Sequence, residues 1–164
     1  MYGDVMRSAM IDTEIWILAK KKPVRNKFSS EEDFQRFMEV HRKALRFFQS
    51  VVPELRIYMS LHQVAEIFHV LAFRGSRIPV SEAEDIVRAI MLDGDVIKVP
   101  VSEDHLVKAI SESSETGIHL WDFLCFLPVS EYVDVVYSAD EHFLKICERH
   151  GIRLSNPLGI WLKC

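Results

Sequence analysis

Four carboxylates stand out in this 164-residue chain because their neighbours are apolar. Asp12 directly follows the run Ala9-Met10-Ile11. Glu66 lies in a segment, Leu61 to Gly75, whose only other formal charge is Arg74. Val70 and Phe73 follow it by four and seven residues, so on a helix this carboxylate shares a face with large apolar groups. Asp122 is the only formally charged residue between Glu115 and Glu131, set among Leu120, Trp121, Phe123 and Leu124. Asp140 closes the run Val133-Asp134-Val135-Val136-Tyr137-Ser138-Ala139. Burying an isolated carboxylate costs on the order of several kcal/mol unless it is paired, protonated or bound to a cation. An oxygen-only ligand set selects hard cations, Mg2+ or Mn2+, over zinc. Such ions stabilise charge on a phosphodiester and acidify an attacking water, so metal-assisted phosphodiester hydrolysis is the chemistry these residues suit.

The elements that must position them follow from the hydrophobic pattern. Ala9 to Ile11 reads as a buried first strand, with a short helix over Ile15 to Ala19 closed by Lys20-Lys21-Lys22-Pro23. Ser30 and Asp33 make a capping-box-like start to a long amphipathic helix reaching Ser50, with Phe34, Phe37, Met38, His41, Leu45 and Phe48 as its apolar face. A second strand spans Leu55 to Ser60, and the next helix runs from Leu61 to Arg74, stopped by Gly75 as a left-handed cap. Ser81 with Glu84 caps a helix to Met91, Val96 to Val99 is a third strand, and Ser102 opens a helix ending near Gly117. Ile118 to Leu127 forms a mostly apolar helix ended by Pro128. Val133 to Ser138 is a fourth strand, Glu141 to His150 a helix, and Ile152 to Leu154 a short fifth strand. Strands alternating with helices imply an α/β fold, a three-layer α/β/α sandwich with a mainly parallel five-stranded sheet. Asp12 and Asp140 then arrive at the carboxyl edge of that sheet, where sites of such folds lie.

Plainer readings stand beside this one. Asp is a favoured N-cap, so Asp12 and Asp140 could each serve only as caps. Glu66 and Asp122 could point to solvent, or Glu66 could pair with Arg74. Four such residues at the ends of successive elements outweigh any one of them.

The whole chain is 49% hydrophobic and 27% charged with a formal net charge of −4, the composition of one soluble domain, and bulk charge alone does not mark it as gripping nucleic acid. We read residues 1–164 as one unit, with no repeat or low-complexity linker. The start MYGDVMRSAM lacks the layout of a secretory signal, and no apolar run reaches the roughly 18 residues a membrane span needs, so a cytoplasmic location is expected. Cys125, Cys147 and Cys164 are widely spaced, indicating neither a disulfide framework nor a zinc knuckle, and Cys125 reads as core. His62 and His69 read as surface or core-edge residues.

These residues resemble the PIN-domain family of metal-dependent ribonucleases. The resemblance rests on IDTEIWILA around Asp12, MSLHQVAEIFHVL around Glu66, GIHLWDFL around Asp122 and VVYSADEHF around Asp140. The last has the family's Thr/Ser-x-Asp-x-x-Phe form in Ser138, Asp140 and Phe143. It implies that Asp12, Glu66, Asp122 and Asp140 form an acidic pocket binding Mg2+ or Mn2+, with Thr13 and Ser138 orienting carboxylates or a water. It implies a sheet order of 3-2-1-4-5. It also implies RNA as substrate and, for VapC-like members, a toxin role with a small antitoxin as partner and a homodimer as a common state. Two departures are visible: Glu14 stands where the family often has Asn, and the segment 20–50 is longer than in compact members, reading as an extended helical insert. Glu14 is either a further ligand and a source of like-charge repulsion or a solvent-facing side chain.

That segment is also basic, with nine Lys or Arg against four Asp or Glu between Lys20 and Arg46. Lys20, Lys21, Lys22, Arg25 and Lys27, with Arg74 and Arg77, are candidates for contacting RNA phosphates and offsetting the acidic pocket's repulsion of its substrate. A solvated helix face is the alternative. The competing functional reading is a catalytically idle scaffold of this fold that binds RNA or a protein through Phe34, Phe37 and Phe48. A haloacid-dehalogenase-like phosphatase would need Asp where Glu14 stands.

Overall fold

A computed structural model describes residues 5–162. Cys164 therefore lies outside the described residues. Five parallel strands, β1 (Arg7–Ile11), β2 (Leu55–Ser60), β3 (Val96–Val99), β4 (Val135–Tyr137) and β5 (Arg153–Ser155), form one sheet of order β3-β2-β1-β4-β5. The order implied by the resemblance is the order observed. Strand β1 is central: Ala9 is in register with Ile57 on β2 and with Val135 on β4.

The two-residue alternation of a strand divides the core into two layers. Ala9, Ile11, Ile57, Val135 and Tyr137 face one side, where α1 (Thr13–Lys20), α2 (Glu31–Ser50), α3 (Leu61–Phe73) and α4 (Val80–Leu92) supply the covering residues. Met10 and Val136 face the other, against α5 (Glu103–Thr116), α6 (Leu120–Phe126) and α7 (Glu141–His150). Because both faces are covered, Ala9-Met10-Ile11 of β1 and Val135-Val136-Tyr137 of β4 are unbroken apolar runs, as buried parallel strands favour.

The expected helices all form, with informative differences. Helix α2 buries Val40, His41, Ala44 and Phe47, so its core face is turned from the expected stripe and Phe37 remains exposed. The turning partners are specific: His41 Nδ1 meets the Leu18 carbonyl at 2.6 Å, and Phe47 packs on Tyr137. Phe48 stacks edge-on against Trp16 and so belongs to the core rather than to a partner surface. In α3 the buried side chains are Gln63, Val64, Ile67, Leu71 and Ala72, whereas Leu61 and Phe73 are exposed. Arg74, in extended backbone, ends α3, and the left-handed Gly75 comes one residue later than a cap there would require. Helix α4 starts after Pro79 with no side-chain cap, so Ser81 lies inside the helix rather than capping it. Ser30 does cap α2 by accepting the Asp33 N–H. Strand β4 is only Val135–Tyr137; just beyond it Ser138 still donates its N–H to the Ser155 carbonyl while its hydroxyl turns to the site. Cys125 and Cys147 are buried thiols, and among the described residues no helix is long and apolar enough to cross a membrane.

Candidate active site

Four elements end or begin at one cavity of about 300 Å³, lined by Asp12, Thr13, Glu14, Glu66, Val70, Asp122, Asp140 and Leu162. Asp12 stands after β1, Asp140 three residues after β4, Glu66 in the second turn of α3 and Asp122 in the first turn of α6. The sequence-selected carboxylates are thus brought together, with Glu14 as a fifth. Among the described residues, no Lys or Arg lines this cavity.

The two Asp residues beside the sheet resolve differently. Asp140 is an N-cap, its Oδ1 accepting the His142 N–H at 2.8 Å. Asp12 occupies the N-cap position of α1 but makes no side-chain cap bond. Its Oδ2 instead accepts the Ser138 hydroxyl at 2.7 Å, and that hydroxyl oxygen accepts the Asp140 N–H at 3.0 Å. Ser138, wholly buried, therefore ties two carboxylate residues together. Thr13 lines the cavity, and its buried hydroxyl has no hydrogen-bond partner among the described residues.

Electrostatics mark the cluster as cation-seeking. Burial pushes the Asp12 carboxyl well above its usual range; the Ser138 hydrogen bond opposes this, and Asp122, Asp140 and Glu14 reinforce it. Asp122 is pushed up to about 6 by burial and by Asp140, against the hydrogen bond from His142. Glu14 is exposed as a residue, yet desolvation of its carboxyl beside the cavity raises it first, while Lys21 opposes the rise and Asp140 and Glu66 add to it. Like charges this close oppose joint ionisation unless a cation joins them.

Several neighbours were not selected from the sequence. His142 Nδ1 lies 3.3 Å from Asp122 Oδ2 and 4.0 Å from Asp140 Oδ1. Ligand atoms of Asp122, Asp140 and His142 all fall within 4.8 Å of one another, so the set includes an imidazole and is not oxygen-only as expected. The available signal was position: His142 sits two residues past a capping Asp, in the same helical turn. His62 and Cys125 flank Glu66, at 3.6 Å (Nε2) and 3.7 Å (Sγ) from its Oε2. Among the described residues no ion pair joins Glu66 to Arg74, and its partly exposed side chain faces the cavity. Burial, then Glu66, pushes the Cys125 thiol up, so it is a neutral neighbour. Gln63, wholly buried, donates from Nε2 to the Ile11 carbonyl at 2.6 Å and locks α3 to the end of β1, fixing Glu66 opposite Asp12. A polar residue on the buried face of α3 was its only trace in the sequence.

The basic candidates divide. Lys21, Lys22, Lys27 and Arg74 line a second groove that shares Glu14 and Val70 with the acidic cavity. Lys21 Nζ donates to the Val70 and Arg74 carbonyls at 3.2 and 3.1 Å, capping the end of α3. Arg25 is turned to Glu31 at 2.6 Å, and Lys20 and Arg77 are exposed but line neither cavity.

Sheet order and layers together define a PIN-like α/β/α fold. Solved structures of that kind are similar to this chain over most of its length. VapC20 of Mycobacterium tuberculosis, a sarcin-ricin loop cleaving toxin, superposes with a TM-score of 0.56 at 18% identity, over 78% of this chain and 86% of that one. VapBC2 from Rickettsia felis, bound to a DNA fragment from its promoter, gives 0.57 at 14% identity, over 91% and 98%. FitAcB from Neisseria gonorrhoeae gives 0.52 at 14% identity, over 93% and 99%. No family model and no curated protein matches the chain by sequence.

Proposed function

We propose that this chain is a divalent-metal-dependent ribonuclease of the VapC-like kind, hydrolysing RNA phosphodiester bonds in the cytoplasm as the toxin of a toxin–antitoxin pair. The observation that carries the reading is the convergence of Asp12, Glu14, Glu66, Asp122 and Asp140 on one cavity, where no Lys or Arg joins them among the described residues. The donor set fits a hard divalent ion, Mg2+ or Mn2+: carboxylates predominate, and Thr13, whose buried hydroxyl has no partner among the described residues, lines the same cavity. Asp122, Asp140 and His142 would hold one ion, with Asp12 and Glu66 completing the pocket. When bound, such an ion lowers the pKa of a water and stabilises charge on the phosphate. Ser138 orients Asp12 and favours its ionised form by donating to it, against the burial that raises the carboxyl, and Gln63 fixes Glu66 against the sheet edge. Lys21, Lys22, Lys27 and Arg74, in the adjoining groove, offset the repulsion an acidic site exerts on RNA.

The likeness to VapBC2 supports a small antitoxin protein as partner. Leu106, Val107 and Ile110, exposed along one face of α5, support a homodimer. The deciding experiment is cleavage of single-stranded RNA with Mg2+ or Mn2+ by wild type, Asp12→Asn and Asp122→Asn. Loss of cleavage in both variants is expected, and equal activity in all three would remove these carboxylates from the mechanism. Co-expression with the product of a neighbouring small gene should relieve growth arrest.

A further inference from the structure

A further cavity of about 510 Å³ adjoins the acidic one and shares Glu66 and Val70 with it; its other lining residues are His62, Ala65, His69, Arg74 and Trp121. Its size falls in the range of small-molecule sites, about 300–1,000 Å³. Trp121 immediately precedes the site residue Asp122, yet it is 57% exposed, an unusual place for the largest apolar side chain. Its indole lies over the His62 ring with centroids 5.4 Å apart and planes within 11°, an offset stack. His62 covers one face and holds the indole in orientation. At the cavity's other end Arg74 is held by its Nε bond to His69 at 3.3 Å.

A flat aromatic face, fixed in orientation and open to solvent, with a guanidinium across the cavity and a carboxylate cluster alongside, matches the parts of one nucleotide. The base stacks, the phosphate meets the cation, and the next phosphodiester reaches the acids. We propose that Trp121, supported by His62, is a stacking platform for an unpaired nucleobase flanking the scissile phosphate, with Arg74 contacting the backbone. The platform rests on the ribonuclease reading for its location but not for its binding chemistry. It makes the substrate single-stranded or locally unpaired, because a base within a duplex has no free face to offer. It is tolerant of base identity, since every base carries a π-face.

The test is binding of a labelled short single-stranded RNA, and of the same strand annealed to its complement, in an Asp12→Asn background that suppresses cleavage. Trp121→Ala should weaken single-strand binding by about 5- to 100-fold, the range of one base–aromatic stack, with Trp121→Phe retaining most of the affinity. Duplex binding should be weaker and should not respond to Trp121→Ala. Arg74→Gln should weaken both and reduce the salt slope by about one. With Asp12 restored, Trp121→Ala should raise KM more than it lowers kcat. Unchanged single-strand affinity in Trp121→Ala, an equal loss on duplex, or a change in oligomeric state in place of a binding defect each overturns the platform, as does failure of every RNA to bind. If wild type cleaves no RNA with either metal while the Trp121 effect persists, the nuclease reading fails and the platform stands. Cleavage with a KM indifferent to Trp121 overturns the platform and leaves the nuclease reading in place.

Discussion

The Ser138 hydroxyl donates to Asp12 Oδ2 at 2.7 Å across 126 residues of chain, joining the ends of β4 and β1. Because the same oxygen accepts the Asp140 N–H, one small side chain sets the spacing of two candidate metal ligands. It also supplies the one interaction that lowers Asp12's carboxyl against burial and three neighbouring acids.

Ser138→Ala should therefore raise the Asp12 carboxyl further and leave a buried acceptor and a buried N–H unserved. The expected cost is on the order of 1–3 kcal/mol, read as a lower urea midpoint, together with weaker Mn2+ binding by calorimetry. Ser138→Thr, which keeps the hydroxyl, should recover part of the metal affinity.

Asp122, pushed up to about 6, sets a pH dependence. Between the unfolded value of about 3.9 and about 6 the folded chain holds a proton that the unfolded chain has lost. This contribution to stability is therefore full below about 3.9 and lost as pH rises through about 6; Asp12, also raised, acts in the same sense. Asp122→Asn should remove that loss, so the metal-free variant at about pH 8 should melt above metal-free wild type by the equivalent of roughly 1–3 kcal/mol. The same variant should lose metal-dependent cleavage.

A divalent ion should reverse the penalty in wild type. At about pH 8, Mn2+ at one hundred times its Kd should stabilise the fold by about 2.7 kcal/mol, seen as a higher Tm that a chelator abolishes. In Asp122→Asn that shift should largely vanish.

Gln63→Leu should leave the Ile11 carbonyl unserved and free α3 from the sheet edge. A loss on the order of 1–3 kcal/mol in denaturant melts is expected, with kcat falling as Glu66 loses its fixed position.

Lys21→Gln should unbind the Val70 and Arg74 carbonyls and remove the charge that opposes the rise of Glu14. Stability should drop by about 1 kcal/mol in a thermal melt, and the acid limb of cleavage should move to higher pH.

What the sequence made legible was whatever its patterns encode locally. Apolar runs punctuated by Gly and Pro placed every strand and helix, and isolation among apolar neighbours picked out Asp12, Glu66, Asp122 and Asp140. What it hid depends on packing between distant segments. Helix α2 has more apolar residues than one face can hold, so which stripe is buried is decided by the Leu18 carbonyl and Tyr137, twenty and more residues away. Ser81 looks like a cap, yet Pro79 starts α4 earlier because its fixed φ already suits a helix entry. Gln63 and His142 gain meaning only when α3 meets β1 and α7 meets α6, and neither meeting leaves a local pattern.

Leu162 lines the acidic cavity and its N–H bonds the Ala139 carbonyl at 2.8 Å, next to Asp140. Leu162 is thus part of the site's wall, and Leu162→Ala would widen the entry beside Asp140.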